Sequence, residues 1–309
     1  MKIFLIGSFD EEHLTAWSVY RPLVELGHDV LIYDYRINFF HDIKENAFVN
    51  FLLLIDKFNP DLILILKGEL FNVRMLTAIN NYKVALWHFD FDYHAKFQIE
   101  KQVPHIDYLF TICRPWHEIY ISKRRSNWLP QGNDPIMFFP VEPNQEELDD
   151  IAFIGTLKPK KECFVRKFID AGMKVSVYGE NWQYSTLKNI WKGPAYCKRF
   201  SQAVANSKII ISTIDGSGLK FDSTTSQRIF RVCGCKGVYL TDHVDGINDF
   251  YKEDEEIFTY KTHDEAVEKA KELLKNPVKR EAAALKSYER TLEEHLYIHR
   301  VRRLLECVS

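Results

Sequence analysis

Short apolar runs separated by helix-length intervals are the feature of this sequence that most restricts its fold. In the first half of the chain these runs are predicted as buried strands, and the segment 11–26 between two of them as a helix that Gly27 ends. Strands that alternate with helices predict βαβ units, and therefore a parallel sheet with right-handed crossovers. The predicted strands are Lys2–Ile6, Asp29–Tyr33, Leu62–Leu66, Val84–Trp87 and Tyr108–Thr111.

The pattern stops near residue 130 and starts again near residue 150, which predicts two domains. The segment between carries Pro130, Pro135, Pro140 and Pro143 and ends in acidic residues, as a linker would. A chain of 309 residues with 46% apolar residues is long enough for two cores. We therefore predict an N-terminal domain over 1–140, a second domain over 141–290 and a C-terminal helix over 291–309.

The second half repeats the alternation of strand and helix after the linker. An apolar run after Gly237 is predicted as a further strand, and the chain closes with one long helix, straight or bent. The other predicted elements are strands Ile151–Ile154, Lys174–Tyr178 and Lys208–Ser212, helices Glu162–Ala171, Ala195–Asn206 and Asp264–Leu274, and the closing helix Val278–Leu305.

Residues 207–242 carry the clearest signal for a binding site. A strand runs into a loop of glycine and serine, a hydroxyl-rich patch then opens a short helix, and another strand follows. Backbone N–H groups and the positive end of a helix attract phosphate at such a place, and parallel sheets bind their ligands there. The candidate residues are Ser223, Thr224, Thr225, Ser226 and Arg228.

Composition argues against several classes of protein. The net charge of −2 gives no reason to expect a polyanionic partner. Six cysteines without a C-x-x-C pair fit no zinc site and predict a reducing, cytoplasmic location. No apolar run approaches the ~18 residues of a membrane-spanning helix, and the first run is too short for a signal peptide. We expect a soluble protein.

Seven motifs follow one another in the order found in one known family. With them the chain resembles the CgeB-like (spore-maturation-type) glycosyltransferases, relatives of glycosyltransferase families 1 and 4. The resemblance implies an α/β fold of the GT-B type, in which two Rossmann-like domains with parallel sheets face a cleft and a C-terminal helix crosses back to the first domain. The motifs are NPDLILILKGE at 59–69, VALWHFD at 84–90, LPQGNDP at 129–135, IAFIG at 151–155, VYGENW at 177–182, RIFRVCG at 228–234 and EHLYIHR at 294–300.

The resemblance also implies a reaction. A sugar would move from a nucleotide diphosphate sugar, with a UDP-sugar expected, to a hydroxyl of a glycan, a protein, a small molecule or a modified DNA base. No metal or cofactor would be needed beside the nucleotide-sugar co-substrate, and the oligomeric state stays open. If the acceptor is DNA, residues 123–125 (Lys-Arg-Arg) are the expected phosphate contact, although the near-neutral charge speaks against DNA.

Donor binding is expected at the loops that follow the strands of the second domain. The resemblance places Gly155, Lys158, Lys161 and Gly179 there, and the hydroxyl-rich patch with Arg228 joins them. Cationic side chains would stabilise the charge that develops on the leaving diphosphate. The alternatives are that the lysines, Lys160 included, are only the solvated start of a helix, and that Trp182 is a core residue rather than a platform for the base.

Acceptor binding is expected at the loops of the first domain. Asp90 is the expected general base if the reaction inverts configuration, with His88 next; if it retains configuration, His88 would position the sugar. The alternatives are a core histidine at 88 and a helix N-cap at Asp90. The sequence Asp90-Phe91-Asp92 matches D-x-D, but the architecture gives no reason to assign a metal. The remaining acceptor-side candidates are Gly7, Ser8, Glu69 and Asp92.

Arg231 departs from the family pattern. It stands where an acidic residue commonly holds the ribose hydroxyls of the donor, and an arginine cannot accept hydrogen bonds. The donor is then held differently, or is unusual, or the site has lost its use. The last possibility keeps a second function open, a non-catalytic protein that binds nucleotide sugars or glycans. A Rossmann dehydrogenase is excluded, because the loop at 7–11 lacks G-x-G-x-x-G.

Overall fold

The computed structural model describes residues 1–11, 14–37, 44–69, 71, 73–90, 93–122, 125–213 and 226–309. The chain divides into two compact units. Unit 1 contains Met1–Gln131 and Tyr297–Ser309, and unit 2 contains Gly132–Leu296. The domain ends predicted at 140 and 290 lie nine and six residues from these divisions. No helix in the described residues has the length and apolar character needed to cross a membrane.

Unit 1 is built on a parallel sheet of six strands in the order β2-β1-β3-β4-β5-β6. The central strands β3 and β4 are buried along their whole length, as expected for a sheet covered on both faces. The strands are β1 Lys2–Gly7, β2 Asp29–Asp34, β3 Leu62–Leu66, β4 Val84–His88, β5 Tyr108–Thr111 and β6 Arg125–Trp128, and the helices are α1 Thr15–Glu25, α2 Lys44–Phe58, α3 Val73–Ala78, α4 Tyr93–Gln102 and α5 Arg114–Tyr120.

Unit 2 repeats the plan with five parallel strands in the order β11-β10-β9-β7-β8. The strands are β7 Asp149–Ile154, β8 Val175–Tyr178, β9 Ser207–Ile211, β10 Tyr239–Asp242 and β11 Phe258–Tyr260. The helices are α6 Pro159–Asp170, α7 Cys197–Ala205, α8 Arg228–Gly234, α9 His263–Lys275 and α10 Pro277–Glu294. Five short 3₁₀ helices complete the described elements of the chain, at Val103–His105, Gln145–Glu147, Trp182–Tyr184, Lys188–Ile190 and Ile247–Asp249.

The last helix, α11 (Tyr297–Val308), belongs to unit 1 although the chain reaches it from unit 2. Its buried side chains join the same apolar core as Ala16, Val19 and Leu23 of α1. Arg300 adds a hydrogen bond from Nε to the Gln131 carbonyl, 3.1 Å long. The C-terminal helix therefore packs in the core of unit 1, as the predicted return to the first domain requires.

One predicted element needs correction, and two strands were not predicted. The single helix expected over 278–305 is two helices, because residues 295 and 296 break it and His295 caps α10. Strand β6 was not predicted, since its residues Arg-Ser-Asn-Trp have no apolar run at the edge of the sheet. Strand β11 was also missed, because three residues are too short for a periodic pattern.

Candidate functional site

Each sheet has one place where the order of strands reverses, and there the loops leave in opposite directions. In unit 1 this place lies between β1 and β3, and in unit 2 between β7 and β9. Parallel sheets open a crevice at the carboxyl ends of the strands at such a point, and ligands bind in it. The residues that follow these four strands are therefore the first place to look for function.

In unit 2 the loop after β7 passes very close to the loop after β8. Gly179 has φ +126°, and a Cβ atom placed on it would lie 2.4 Å from the carbonyl oxygen of Gly155. The same oxygen accepts a hydrogen bond from Trp182 Nε1 at 2.7 Å. A glycine at 179 is needed for this approach, and Trp182, a fully buried core residue, fixes the loop.

Arg228 lies across the crevice between β7 and β9. Its guanidinium donates from Nη1 to Ser212 Oγ at 2.6 Å, directly after β9. Its Nη2 lies only 2.6 Å from where a Cβ of Gly155 would be, directly after β7. Ser226 supports the start of α8, because its hydroxyl accepts from the Arg228 backbone N–H at 3.3 Å. A cation is thus held at the point where the two loops part.

The three predicted lysines have different surroundings. Lys161 is buried, and its ammonium donates to the Thr156 carbonyl at 3.3 Å, so it holds the β7–α6 loop from inside. Lys158 is the N-cap residue of α6 and is exposed, as is Lys160. The exposed pair lies at the positive end of a twelve-residue helix, where an anion would be stabilised.

Arg231, one turn after Arg228 on α8, stacks on an aromatic ring. Its guanidinium carbon lies 4.3 Å from the centroid of Phe138. Burial raises the pKa of the nearby Cys235 thiol to about 12, against the opposing effects of its hydrogen bond with Ser201 and of the Arg231 charge. The position that holds ribose hydroxyls in the resembling family is thus filled by a cation that packs within unit 2.

In unit 1 charged side chains after the four strands β1 to β4 form a connected network. Lys67 Nζ lies 2.9 Å from Glu69 and 3.1 Å from Asp90, and Arg36 lies 3.1 Å from Glu69 and 3.8 Å from Asp10. The network brings together the predicted residues Glu69 and Asp90.

The network sets the ionisation of its members. Burial alone would raise the pKa of the Glu69 carboxyl, but hydrogen bonds and charge attraction from Lys67 and Arg36 outweigh burial and lower that pKa. Burial alone would lower the pKa of Lys67, and its acidic partners raise it instead. Both groups are therefore charged at neutral pH.

His88 ends β4 and is fully buried beside the network. The Asp90 backbone contacts its Nδ1 with the N–H at 3.3 Å and with the carbonyl oxygen at 3.4 Å, so Nδ1 accepts in one tautomer and donates in the other. Burial lowers the pKa of His88, which keeps the ring neutral. Among the described residues Nε2 has no hydrogen-bond partner of good geometry. The ring is thus buried like a core histidine and bonded at Nδ1, whereas Nε2 makes no hydrogen bond of good geometry.

Two other acceptor-side candidates lie after β1. Gly7 is buried, and its missing side chain makes room for Ala16 of α1, whose Cβ would lie 3.1 Å from a Cβ at Gly7. Ser8 is half-buried and donates its hydroxyl to Asp10 at 2.7 Å. Ser8 thus joins the edge of the charged network, whereas the glycine serves the packing of a helix.

Four predicted residues lie outside the described residues, namely Asp92, Ser223, Thr224 and Thr225. Lys123 and Arg124 of the basic run lie outside them as well. Sequence reasoning missed Ser212, Lys67 and Arg36 as partners of the site. Lys67 directly follows a predicted strand and Arg36 lies three residues after another, which is a signal that could have drawn attention to them. In the described part of the chain no group of three or more His, Cys, Asp or Glu side chains could hold a metal ion.

The family comparison finds a match in the second half of the chain. Residues 160–306 match a family model described as glycosyl transferase-like. The matched segment begins in α6 and ends in α11. No curated protein sequence matches the chain.

Solved structures match along nearly the whole chain. Alr3699/HepE from Anabaena in complex with UDP-glucose has a TM-score of 0.72 at 10% identity, with 99% of this chain and 98% of that one covered. Sucrose-phosphate synthase from Thermosynechococcus elongatus has a TM-score of 0.68 at 8% identity, with 99% and 97% covered. An alpha-glucosyltransferase in complex with UDP-glucose and DNA containing an abasic site has 0.67 at 11%, with 99% and 98% covered.

These structures confirm the predicted fold. The chain has two α/β units, each with a parallel sheet, as GT-B glycosyltransferases do. The family match agrees with the predicted class of reaction, sugar transfer from a nucleotide sugar.

Proposed function

We propose that this chain, which has the GT-B fold of glycosyltransferases, moves a hexosyl or pentosyl group from a nucleotide diphosphate sugar to a hydroxyl acceptor. The glycosyl transferase-like match over residues 160–306 supports the reaction class. Structures of the same fold in complex with UDP-glucose support UDP as the nucleotide.

The position of Arg228 is the observation that carries the proposal. Its guanidinium is fixed by Ser212 after β9 and lies against the bare backbone of Gly155 after β7. A diphosphate in this crevice would contact a preorganised cation without the steric barrier of a side chain at position 155. Stabilising the charge that develops on the leaving group is the main task of a glycosyltransferase donor site.

The loop between β7 and α6 would supply the remaining stabilisation. Lys158 and Lys160 stand at the positive end of α6, where the backbone N–H groups of the first turn also favour an anion. Lys161 would act indirectly, because its ammonium is engaged with the Thr156 carbonyl and keeps the loop in place. With these cations and the helix dipole, the transfer would need no bound metal.

For the acceptor we assign the role of general base to Asp90 in an inverting reaction. Its side chain is 45% exposed, and Lys67 keeps a positive charge beside it. His88 is buried and neutral, so it is better suited to hold a hydroxyl than to exchange protons with solvent. In a retaining reaction Asp90 would lose its role and His88 would keep the positioning one.

The proposal also covers the group of enzymes to which the chain belongs and its location in the cell. The seven ordered motifs support membership of the CgeB-like group within the GT-B enzymes. Six cysteines, all free, support a reducing location such as the cytoplasm.

A non-catalytic nucleotide-sugar binder is the second candidate, and Arg231 is the observation that favours it. Its guanidinium stacks on Phe138 and offers no acceptor for ribose hydroxyls. Such a protein would bind a nucleotide sugar without turning it over.

The test is a panel of nucleotide sugars, with binding measured by calorimetry and turnover by release of the nucleoside diphosphate. Arg228→Ala should reduce turnover by about 10²–10³-fold, the usual loss when one group that stabilises developing charge is removed. Arg166→Ala, on the exposed face of α6, is the matched control and should behave as wild type. Tight binding without turnover of any donor would favour the second candidate, and no binding of any donor would refute both.

The role of Asp90 is tested with the same assays. Asp90→Asn should leave donor binding unchanged and reduce transfer by about 10²–10⁴-fold, the range for loss of a general base. Asp56→Asn, exposed on α2, is the control. Wild-type transfer by Asp90→Asn would remove this residue from the mechanism.

A further inference from the structure

The charges at the carboxyl edge of the unit 1 sheet define what kind of acceptor fits there. After β1 to β4 the described residues present three carboxylates, Asp10, Glu69 and Asp90, against two cations, Arg36 and Lys67. We call these five side chains the acceptor edge. Its balance of charge is negative.

Neither cation of the acceptor edge is left to bind an anion. Lys67 is shared between Glu69 and Asp90, and Arg36 between Glu69 and Asp10, with nitrogen–oxygen distances of 2.9–3.8 Å. A third cation, Arg114, follows β5, and its guanidinium lies 4.3 Å from the Trp128 ring. A phosphate or carboxylate group arriving at this edge would have to displace an existing carboxylate partner.

A second and independent observation indicates a neutral hydroxyl. His88 is fully buried beside the acceptor edge, and among the described residues its Nε2 makes no hydrogen bond of good geometry, although the Gln98 side chain lies near enough to act on the pKa of the ring. The Asp90 backbone engages Nδ1 with its N–H at 3.3 Å and its carbonyl at 3.4 Å, so Nε2 is a donor in one tautomer and an acceptor in the other. Buried polar atoms in proteins are nearly always paired, and a ligand hydroxyl, which both donates and accepts, would pair with Nε2 in either tautomer.

The combination of donors and acceptors matches a sugar. Each hydroxyl of a polyol donates one hydrogen bond and accepts others, so it can bind a carboxylate and a cation at once without adding charge. The ion pairs of the acceptor edge offer both kinds of group side by side, on side chains that are 26–45% exposed. A phosphate-rich acceptor would instead place a dianion next to three carboxylates.

We propose that the acceptor is a neutral or amino-bearing carbohydrate, and that the acidic acceptor edge excludes phosphorylated sugars and DNA. This inference rests on the proposed function, because it names the acceptor of that reaction. It assigns Glu69 and Asp10 as specificity-determining residues that reject anionic groups through repulsion.

The test compares acceptors that differ only in charge. Binding to the full-length protein is measured by saturation-transfer NMR and titration for methyl glucoside, glucosamine and glucose 6-phosphate, and for a duplex of DNA with hydroxymethylated bases. The corresponding galactose and mannose derivatives are measured as well, so that the result does not depend on choosing the right epimer. We expect at least one neutral or amino sugar to bind tenfold more tightly than its 6-phosphate and than the duplex.

A variant without the Glu69 charge shows whether the phosphorylated sugar is rejected by charge repulsion or by its shape. Glu69→Gln should strengthen binding of the 6-phosphate at least threefold relative to the neutral sugar, and the gain should shrink at high salt. Glu25→Gln, exposed at the end of α1, is the matched control and should change neither affinity. Equal or tighter binding of the 6-phosphate or of DNA by the wild type would overturn the inference, as would failure of every sugar to bind.

Release of nucleoside diphosphate from UDP-glucose is recorded in parallel, without acceptor. It reports on the proposed function alone. An enzyme that hydrolyses the donor but prefers the anionic acceptors would retain the proposed function and refute the inference.

Discussion

At the scale of single residues, Gly179 illustrates how backbone geometry fixes a residue type beside the donor crevice. It has φ +126°, and a Cβ would lie 2.4 Å from backbone oxygen and 2.6 Å from backbone carbon of Gly155. Gly172 also has a positive φ, +82°, but a Cβ there would meet nothing within 4 Å. An alanine at Gly172 would therefore cost only backbone strain, whereas an alanine at Gly179 would add a steric clash with the backbone of Gly155.

We expect Gly172→Ala to lower the free energy of unfolding by about 1–2 kcal/mol, the cost of a left-handed conformation for a residue with a side chain. Gly179→Ala should cost about 1–3 kcal/mol more, because the added methyl group overpacks against backbone. Urea denaturation measures both, and calorimetry with UDP-sugars should show donor binding lost only in Gly179→Ala. Equal losses in the two variants would contradict the close approach of the two loops.

His88 makes a second prediction, which concerns pH. Burial lowers its pKa in the folded protein below the value of about 6.5 that applies in the unfolded chain. The unfolded state therefore binds more protons below pH ~6.5, and stability is full above that pH and falls on acidification through the window beneath it. The slope reaches at most about 1.4 kcal/mol per pH unit for one proton.

Denaturation of wild type and His88→Gln between pH 8 and 5 measures this contribution as a difference. The pKa of His28 and that of His117 are also lowered by burial, but both contribute equally to the two proteins. Wild type should lose more stability on acidification than the variant. Parallel pH profiles would mean that His88 is accessible to protons in the folded state.

The residues of the site differ in how far sequence could identify them. Gly155, Gly179 and Arg228 follow strand ends or open a helix, so their place was predictable from local pattern, and the structure brings them together. Ser212, which holds Arg228, and Lys67, which links Glu69 to Asp90, were missed. Their partners come from neighbouring strands, and strand order is not encoded in any local pattern of residues.

At the scale of elements, the loop between β7 and α6 depends on a bond from another loop. Trp182 donates to the Gly155 carbonyl at 2.7 Å, and Lys161 donates to the Thr156 carbonyl at 3.3 Å. Both bonds end on backbone oxygens of the loop that carries the proposed diphosphate contacts. The shape of this loop is thus set by side chains that would not touch the ligand.

We expect Trp182→Phe to lower stability by about 0.5–1.5 kcal/mol through the lost hydrogen bond, in addition to the cost of the smaller ring. Donor affinity should weaken by up to about tenfold, which corresponds to ~1.4 kcal/mol. Trp87→Phe is the matched control, because its buried indole also donates to a backbone carbonyl, that of Leu129, but in unit 1. It should lose stability and keep donor affinity, whereas equal losses of affinity would refute the role of Trp182.

Helices and strands could be predicted from the sequence where their burial requires a recognisable run of apolar residues. Leu62–Leu66 and Tyr108–Thr111 have the predicted bounds, because each is a continuous apolar run buried on both sides. Strand β6 escaped prediction since an edge strand pairs through its backbone and its side chains carry no apolar signal. The end of α10 escaped for another reason. His295 continues the polar pattern of the helix, and its burial against Phe250, Tyr251 and Phe230 ends the helix through tertiary contacts.

At the scale of the whole molecule, the core of unit 1 is completed by the last residues of the chain. Helix α11 places Tyr297, Val301, Leu304 and Val308 among the fully buried side chains of that core, next to the first helix. Contacts between the two ends of a chain form late, because closing a long loop costs entropy. Unit 1 therefore cannot bury its core until the C-terminal residues are in place.

A single leucine tests this dependence. Leu304 is fully buried, and Leu304→Ala should lower the free energy of unfolding by about 2–5 kcal/mol, from lost burial and the cavity left behind. Leu285→Ala on α10 is the matched control, since that side chain is 43% exposed and its loss should cost within about 0.5 kcal/mol. Tryptophan fluorescence during urea denaturation reports on unit 1 alone once Trp182 and Trp191 of unit 2 are replaced by Phe, because the other four tryptophans all lie in unit 1. The Leu304→Ala transition should move to lower urea in that signal. If Leu304→Ala and Leu285→Ala shift it equally, α11 contributes no more to unit 1 than a surface helix does, and the late completion of the core is refuted.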